Sequence, residues 1–491
     1  MSVSKRRVCT IQYSVLWDQQ VRKERFSSPA FTARQQAYGR RFNVESIYTP
    51  QMVVDGRSEF VGSDAMKEYP YWWDTVPPAD AKASESELPL QRIDVAVIGA
   101  GYTGLAAARQ LARAGAVVAV IERERVGWGA SSRNAGQVVT GLKLDPRTLV
   151  TRYGQRRAAL LFDAAREAID RLDAVIAEHS IDCEYERVGH LQAAWKPSHF
   201  TAFRDEQALL ARVFQHRVEL IPRREQRTEL GSDAYYGVLV DERSGALNPA
   251  QYVDGLAAAA RRAGARFIMG TAVQRLQRES RSWIVSTTKG AVRCDDVLVA
   301  TNGYTDGAAP ALQRRLVPIG SYIIVTEPLL AAEATAILPR RRVAFDSKHF
   351  LYYFRLTRDR RLLFGGRAEF SQPSDDSTRR AATVLRRGLA HVFPDLAGKR
   401  IDYAWGGTVA FTRDQLPHAG TLDDLSFAGG YCGHGIAMAT YLGELIARRL
   451  GGEPIEHPLV GDRFPAIPLY SGRPWFLPLV GMYYRLRDFV G

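Results

Sequence analysis

Cysteine is scarce in this 491-residue chain: Cys9, Cys183, Cys294 and Cys432 stand alone, with no CxxC pair. That excludes a disulfide framework and a cysteine-rich metal centre. No apolar run reaches the length of about eighteen residues that a membrane helix needs; the clean stretches are short, such as Ala116–Ile121. The first residues carry basic side chains but neither a continuous apolar core nor a small-residue cleavage site, so no secretory signal is read and a cytoplasmic protein is expected. Lysine is also scarce, and the net charge of +13 comes almost wholly from arginines that are spread along the chain. With no zinc-finger, RRM or helix-turn-helix pattern beside it, that charge predicts no nucleic-acid partner. His190, His349 and His418 lack metal-ligand spacing and are read as structural, with no metal expected.

The organised part of the chain begins late. Residues 1–65 show no dense apolar periodicity and read as an extension. Residues 66–92 hold an aromatic, proline-rich lead-in, MKEYPYWWDTVPP, followed by a polar linker. Ile93–Ile98 (IDVAVI) is then a β-branched run of buried-strand type, followed at once by Gly99, Ala100, Gly101, Tyr102, Thr103 and Gly104, and by a helical LAAARQLARAG. A second strand, AVVAVIE, ends in Glu122, with Arg123 after it.

This βαβ unit has a mechanical rationale. Gly99 permits a tight turn, Gly101 lets the backbone approach a pyrophosphate, and Gly104 lets the helix pack on the strand. The helix N-terminus faces the phosphates with free N–H groups, and Glu122 is placed to accept from ribose hydroxyls while repelling a 2′-phosphate. No second glycine fingerprint with a terminal acid occurs, so no separate nicotinamide site is expected and electrons should enter from an organic substrate.

Further motifs follow: GWGASSRNAGQVV at 127–139, the pair GARFIMGTAV and DVLVATNGYT, YYFRLTRDRRLLFGGR, and GGYCGHGIAMATYLGELIA. With these, residues 66–491 resemble the D-amino-acid oxidase superfamily of FAD-dependent amine and amino-acid oxidoreductases, and within it the gamma-glutamylputrescine oxidase branch. The resemblance implies an α/β (α+β overall) fold: a Rossmann-like FAD-binding domain from 93–183, 245–315 and 403–455, interleaved with an antiparallel-sheet substrate domain from 184–244 and 316–402, and a tail at 456–491. It implies non-covalent FAD held by the fingerprint, by Ala130, Ser131, Arg133, Asn134, Gly136 and Gln137, by Val273 with Thr301, Asn302 and Gly303, and by Gly430, Gly433, His434, Gly435, Ile436 and Ala437, where a helix N-terminus would favour the charge of reduced flavin.

The implied reaction is hydride transfer from the carbon bearing a neutral amine to flavin N5, giving an imine that water hydrolyses to an aldehyde. Oxygen or an electron carrier would be the oxidant. Tyr353, Arg355 and His434 are the candidate catalytic residues, with Tyr353 and Arg355 on one strand face, Arg355 meeting a distal carboxylate, and Tyr322 a further candidate. Amino-acid-oxidising relatives place a carboxylate-clamping arginine near the position of Val409, and here none appears before Arg413. That favours an amine over a simple α-amino acid. The alternatives are an amino-acid dehydrogenase feeding a quinone or other carrier, and a non-catalytic flavin-bound subunit. Residues 25–64 resemble a piece of a secreted thioredoxin-like family, with Tyr48, Thr49 and Pro50 as a turn before a strand at Gln51–Val54; too small to close a core, the piece is expected to be dispensable. The aromatic, basic C-terminus is expected to pack back on the domain, with weak peripheral membrane contact as the lesser expectation.

Overall fold

The computed structural model describes residues 51–54, 58–61, 66–77, 93–366, 374–461, 463–477, 479 and 481–482. The chain divides into two units, Met1–Lys67 and Glu68–Gly491. In the first, Gln51–Val54 pairs antiparallel with Ser58–Val61. The expected strand is there; Tyr48, Thr49 and Pro50 lie outside the described residues.

Two eight-stranded sheets build the second unit. The first runs in the order Arg266–Ile268, Val118–Ile121, Ile93–Ile98, Gly290–Val299, Ser282–Thr287 and Val273–Glu279, with Leu425–Gly429 and His418–Leu422 joined alongside. Its centre is parallel: Val118–Ile121 and Gly290–Val299 flank Ile93–Ile98 in that sense. Strands covered on both faces read as unbroken apolar runs, which is why IDVAVI and VAVI do not alternate. The fingerprint helix Tyr102–Arg113 lies against this sheet and against the helix Gly435–Leu450, sharing one core of small and branched residues.

The second sheet has the order Ile401–Phe411, Val317–Pro328, Arg361–Gly366, Tyr352–Leu356, Val343–Asp346, His190–Ala193, Gly237–Asp241 and Glu219–Pro222. All its pairings are antiparallel except Val343–Asp346 with His190–Ala193. Helix Pro197–Phe214 packs on its far end, and helix Pro146–His179, which bends at Gly154, where φ is +73°, packs in turn on Pro197–Phe214 and on Gly435–Leu450.

Three features differ from the sequence reading. The lead-in is core: Trp72 is fully buried among Ile323, Val325, Leu363 and Trp405, because a run of bulky aromatics buries more apolar surface than any solvated linker would leave exposed. A division at residue 403 cuts through Ile401–Phe411, which pairs along ten registers with Val317–Pro328 in the second sheet. GARFIMGTAV is two strands, because Gly270, at φ +59°, turns the chain so that the Gly270 and Thr271 amides donate to the carbonyls of Glu124 and Glu122. At the other end, Tyr470 and Leu477 pack on Val317 and Ile319, while Leu469, Trp475, Leu479 and Met482 stay exposed.

Candidate active site

A cavity of about 1160 Å³ lies between the two sheets. On its first side the turn after Ile93–Ile98 delivers Gly99, Ala100, Gly101, Tyr102 and Thr103 to the lining. Gly99 sits at φ +105° and is backed by the Ala300 carbonyl, so no other residue turns the chain here without strain. Gly104 lies behind the lining; a methyl there would stand 1.9 Å from the Gly99 carbonyl oxygen. Glu122 is fixed at the strand end by two amides, Ala100 N–H on Oε2 and Glu124 N–H on Oε1, each at 2.9 Å. Both oxygens keep further lone pairs for a hydroxylated ligand.

The segment Ala130–Arg133 and its continuation are braced from several directions. Ser131 Oγ accepts from the Tyr102 amide at 3.1 Å, and the Tyr102 hydroxyl donates back to the Ser131 carbonyl at 2.5 Å. Asn134 donates to the Ala130 and Ser131 carbonyls and accepts from Gly136 N–H. Indole N–H groups of Trp72 and Trp405 hold the Asn134 and Arg133 carbonyls at 2.9 Å, and that of Trp73 reaches Ser132 Oγ at 2.8 Å. Arg133 donates to the Trp128 and Gly406 carbonyls and lies over the rings of Trp73 and Trp128; burial lowers its pKa. Gln137 donates to Phe354 and Ala344 carbonyls, tying this loop to the second sheet.

Val273, Thr301 and Asn302 line the same side, as does Arg123 at its exposed rim. Asn302 Oδ1 accepts from Gly430 N–H at 2.9 Å. Gly433, His434, Gly435 and Ile436 bring the N-terminus of the Gly435–Leu450 helix to the lining. Gly136, Gly303, Gly430 and Ala437 are second-row positions that shape the turns without lining the cavity. Burial and the nearby positive charge of Lys143 push the His434 imidazole down to about 3, so it is neutral, and its Nδ1 finds no hydrogen-bond partner among the described residues.

The facing wall is the second sheet. Tyr353 lines it, its hydroxyl 2.9 Å from Ser321 Oγ and its ring filling the space over Gly365. Arg355 does not reach the cavity. Strand alternation does put it on the Tyr353 face, but the guanidinium turns into the protein and donates to the carbonyls of Gly136 at 2.9 Å and Leu247 at 2.8 Å, with burial lowering its pKa to about 10. Its Nε and Nη1 are held by carbonyls and the side chain is absent from the cavity lining, so it does not meet a substrate carboxylate there. Tyr322 is likewise structural, fully buried with its hydroxyl on Ser377 Oγ. Val409 lines the cavity, and Arg413 lines it as an exposed residue.

Sequence reading passed over several lining residues: Lys143, Gln192, Glu206, His216, Asp241 and Phe345. Of the three histidines read as structural, His190 and His349 line the cavity, whereas His418 pairs with Asp414 and stacks on Phe464. Alternation of His190 and Gln192 about Leu191 was the available signal.

The residues fit a flavin dinucleotide: a glycine cradle with no room for a Cβ, a carboxylate held at the strand end, two helix N-termini on one cavity, and an unpartnered buried imidazole nitrogen. Fold and site thus define a dinucleotide-binding oxidoreductase. The family profile described as FAD dependent oxidoreductase (DAO) matches residues 94–449, and the chain belongs to that family. Gamma-glutamylputrescine oxidoreductase of Escherichia coli is 34% identical over 403 residues, covering 81% of this chain and 93% of that protein. A probable oxidoreductase OrdL of Rhizobium meliloti is 35% identical, covering 81% and 92%. Among solved structures, glycine oxidase from Geobacillus kaustophilus shares the fold at a TM-score of 0.65 with 20% identity, over 76% of this chain and all of that one. A second profile, a protein of unknown function (DUF1223), matches residues 1–141.

The protein is therefore an FAD-dependent oxidoreductase acting on an amine or amino-acid substrate at a CH–NH or CH–NH2 bond. Among the described residues no helix is long and apolar enough to cross a membrane.

Proposed function

We propose that the substrate is an amine of the gamma-glutamylputrescine type, without an α-carboxylate beside the reacting carbon. One observation supports this above the others: Arg355, the arginine on the Tyr353 face of its strand, is engaged by backbone carbonyls. Arg133 is similarly engaged, and Arg123, Arg152 and Arg413 are exposed. Lys143 lines the cavity near His434 as a point charge only, and among the described residues no buried lining arginine is left to give an α-carboxylate the bidentate pairing that holds it best. The two relatives align with 81% of this chain at 34% and 35% identity, which supports the reading.

Bound FAD supplies the two-electron acceptor for the C–H bond next to the amine nitrogen. The chain's own part is positioning. The Gly435–Leu450 helix presents a positive dipole end, the neutral His434 adds no second charge there, and the Tyr353–Ser321 pair offers a hydroxyl at the opposite wall. No side chain is assigned as a nucleophile.

The test is anaerobic bleaching of the flavin band by gamma-glutamylputrescine, free polyamines, sarcosine, glycine and D-amino acids. Bleaching by the putrescine derivatives is expected. Bleaching by α-amino acids instead would refute the substrate class, and an oxygen electrode then separates an oxidase from a dehydrogenase.

A further inference from the structure

The cavity runs well beyond Tyr353. Cross-strand registers set Tyr353 opposite Phe345, Phe345 opposite Gln192, and Gln192 opposite Leu239. Three strand spacings of about 4.8 Å carry the wall some 14 Å. All four residues line the cavity, which makes a slot rather than a compact pocket. Glu206 closes its far end from the helix Pro197–Phe214, one turn before Leu210, which also lines it, and one turn after Phe203, which packs on Leu239.

The three carboxylates at this end differ. Asp145 caps its helix, accepting from Thr148 N–H at 2.9 Å and Thr148 Oγ1 at 2.7 Å. Asp241 is matched by His216 Nε2 at 2.7 Å. Glu206 has no hydrogen bond and no cation among the described residues; burial and the charge of Asp145 push it up to about 7. On the sheet beside Gln192, His190 is 5% exposed, with its Nδ1 on Ser244 Oγ at 2.7 Å and no hydrogen bond at Nε2 among the described residues. Burial lowers its pKa, so the ring brings no positive charge.

We propose that this end of the slot is an ammonium subsite, in which Glu206, with His190 and Gln192 on the sheet, receives the distal ammonium of a long amine whose reacting end lies at Tyr353. This rests on the amine-oxidising reading and extends it to the far end of the substrate. A diamine acylated by a group with its own ammonium spans such a slot, and an α-amino acid does not. An ammonium beside Glu206 favours its ionised form, which then supplies the charge, and the polar sheet residues supply lone pairs and a carbonyl.

The flavin-loaded protein and its Glu206→Gln and Glu206→Asp variants are to be compared on gamma-glutamylputrescine and on glutarylputrescine, which lacks the distal ammonium. The ratio of kcat/KM for the first over the second should fall tenfold or more in E206Q, through KM, and recover in part in E206D. An unchanged ratio, whether both substrates weaken equally or neither does, overturns the subsite. Should no amine reduce the wild-type flavin, the substrate reading fails by itself. Binding of gamma-glutamylputrescine, followed by calorimetry, then decides the subsite: tenfold weaker binding in E206Q upholds it, and equal binding overturns it.

Discussion

Replacing Gly104 by alanine isolates what the fingerprint helix requires. The added methyl would lie 1.9 Å from the Gly99 carbonyl oxygen and 3.2 Å from Val97 Cγ1. An ordinary carbon–oxygen contact is about 3.3 Å, so the helix Tyr102–Arg113 would have to move roughly 1.4 Å off the strand. It has no free direction: on its other side a methyl at Gly443 would already stand 2.5 Å from the Thr103 carbonyl, so the Gly435–Leu450 helix is in close contact there. Over-packing of this kind costs about 1–3 kcal/mol or more, and the better helix propensity of alanine returns about 1 kcal/mol. The displacement falls on the amides of the pyrophosphate cradle, where a net loss of about 2 kcal/mol is near thirtyfold in flavin affinity. The assay is titration of apoprotein with FAD, beside the flavin-to-protein ratio after gel filtration. Gly115→Ala is the control: its φ is +92° but nothing lies within 4 Å of the new methyl, so it should lose stability and keep its flavin. Stoichiometric FAD in Gly104→Ala, with an affinity within threefold of wild type, would refute the reasoning.

Other consequences are as specific. Arg355→Met should cost about 1–3 kcal/mol by taking the guanidinium donor from the Leu247 carbonyl, while the Gly136 carbonyl keeps the Leu247 amide, and should shift substrate preference little; a fall in Tm with an unchanged kcat/KM ratio across the amine panel is the expected pair of results. Glu206, raised from 4.5 to about 7, favours the protonated form when folded, so its contribution to the stability of the ligand-free protein is fully present below pH 4.5 and is lost, by about 3 kcal/mol at most, as the pH rises through 7. Glu206→Gln should abolish that decline in Tm between pH 5 and 8, and a parallel decline in both proteins would sink the idea. Deleting residues 1–65 should leave flavin content and activity unchanged, checked by the absorbance ratio and the bleaching rate.

How much of this was legible depends on how local each signal is. The dinucleotide half is written in contiguous residues: Ile93–Ile98, the three glycines and Glu122 need one strand, one turn and one helix, and propensity with spacing specifies them. The substrate wall is not local. Tyr353, Phe345, Gln192 and Leu239 come from four strands, and one pairing, of Val343–Asp346 with His190–Ala193, is parallel across about 150 residues of chain. Alternation placed Tyr353 and Arg355 on one face, but not the direction in which a long guanidinium turns once carbonyls lie within reach. Trp72 misled for a related reason. Its partners Ile323, Val325 and Trp405 lie more than 250 residues away, so nothing nearby marked the lead-in as core.

The burial of Cys432 bears on how the flavin is held. Among the described residues Cys432 is the cysteine that lines the cavity, which makes it the candidate for a thioether bond to the ring. Such a bond needs a thiolate in reach of the cofactor. Cys432 is instead 2% exposed, burial pushes its thiol up to about 11, and its Sγ sits 3.2 Å from the Gly430 carbonyl and 3.6 Å from Thr412 Oγ1. Four pKa units above neutral leave about one thiolate in ten thousand, at an atom turned into the turn that shapes the Gly435–Leu450 helix. Cys183 and Cys294 are buried away from the lining. Acid precipitation of the holoprotein should therefore release all the yellow colour to the supernatant, and Cys432→Ser should retain FAD with unchanged stoichiometry. Flavin fluorescence that stays with the denatured band on a gel, and disappears in Cys432→Ser, would mean that the turn opens far enough for the sulfur to reach the ring.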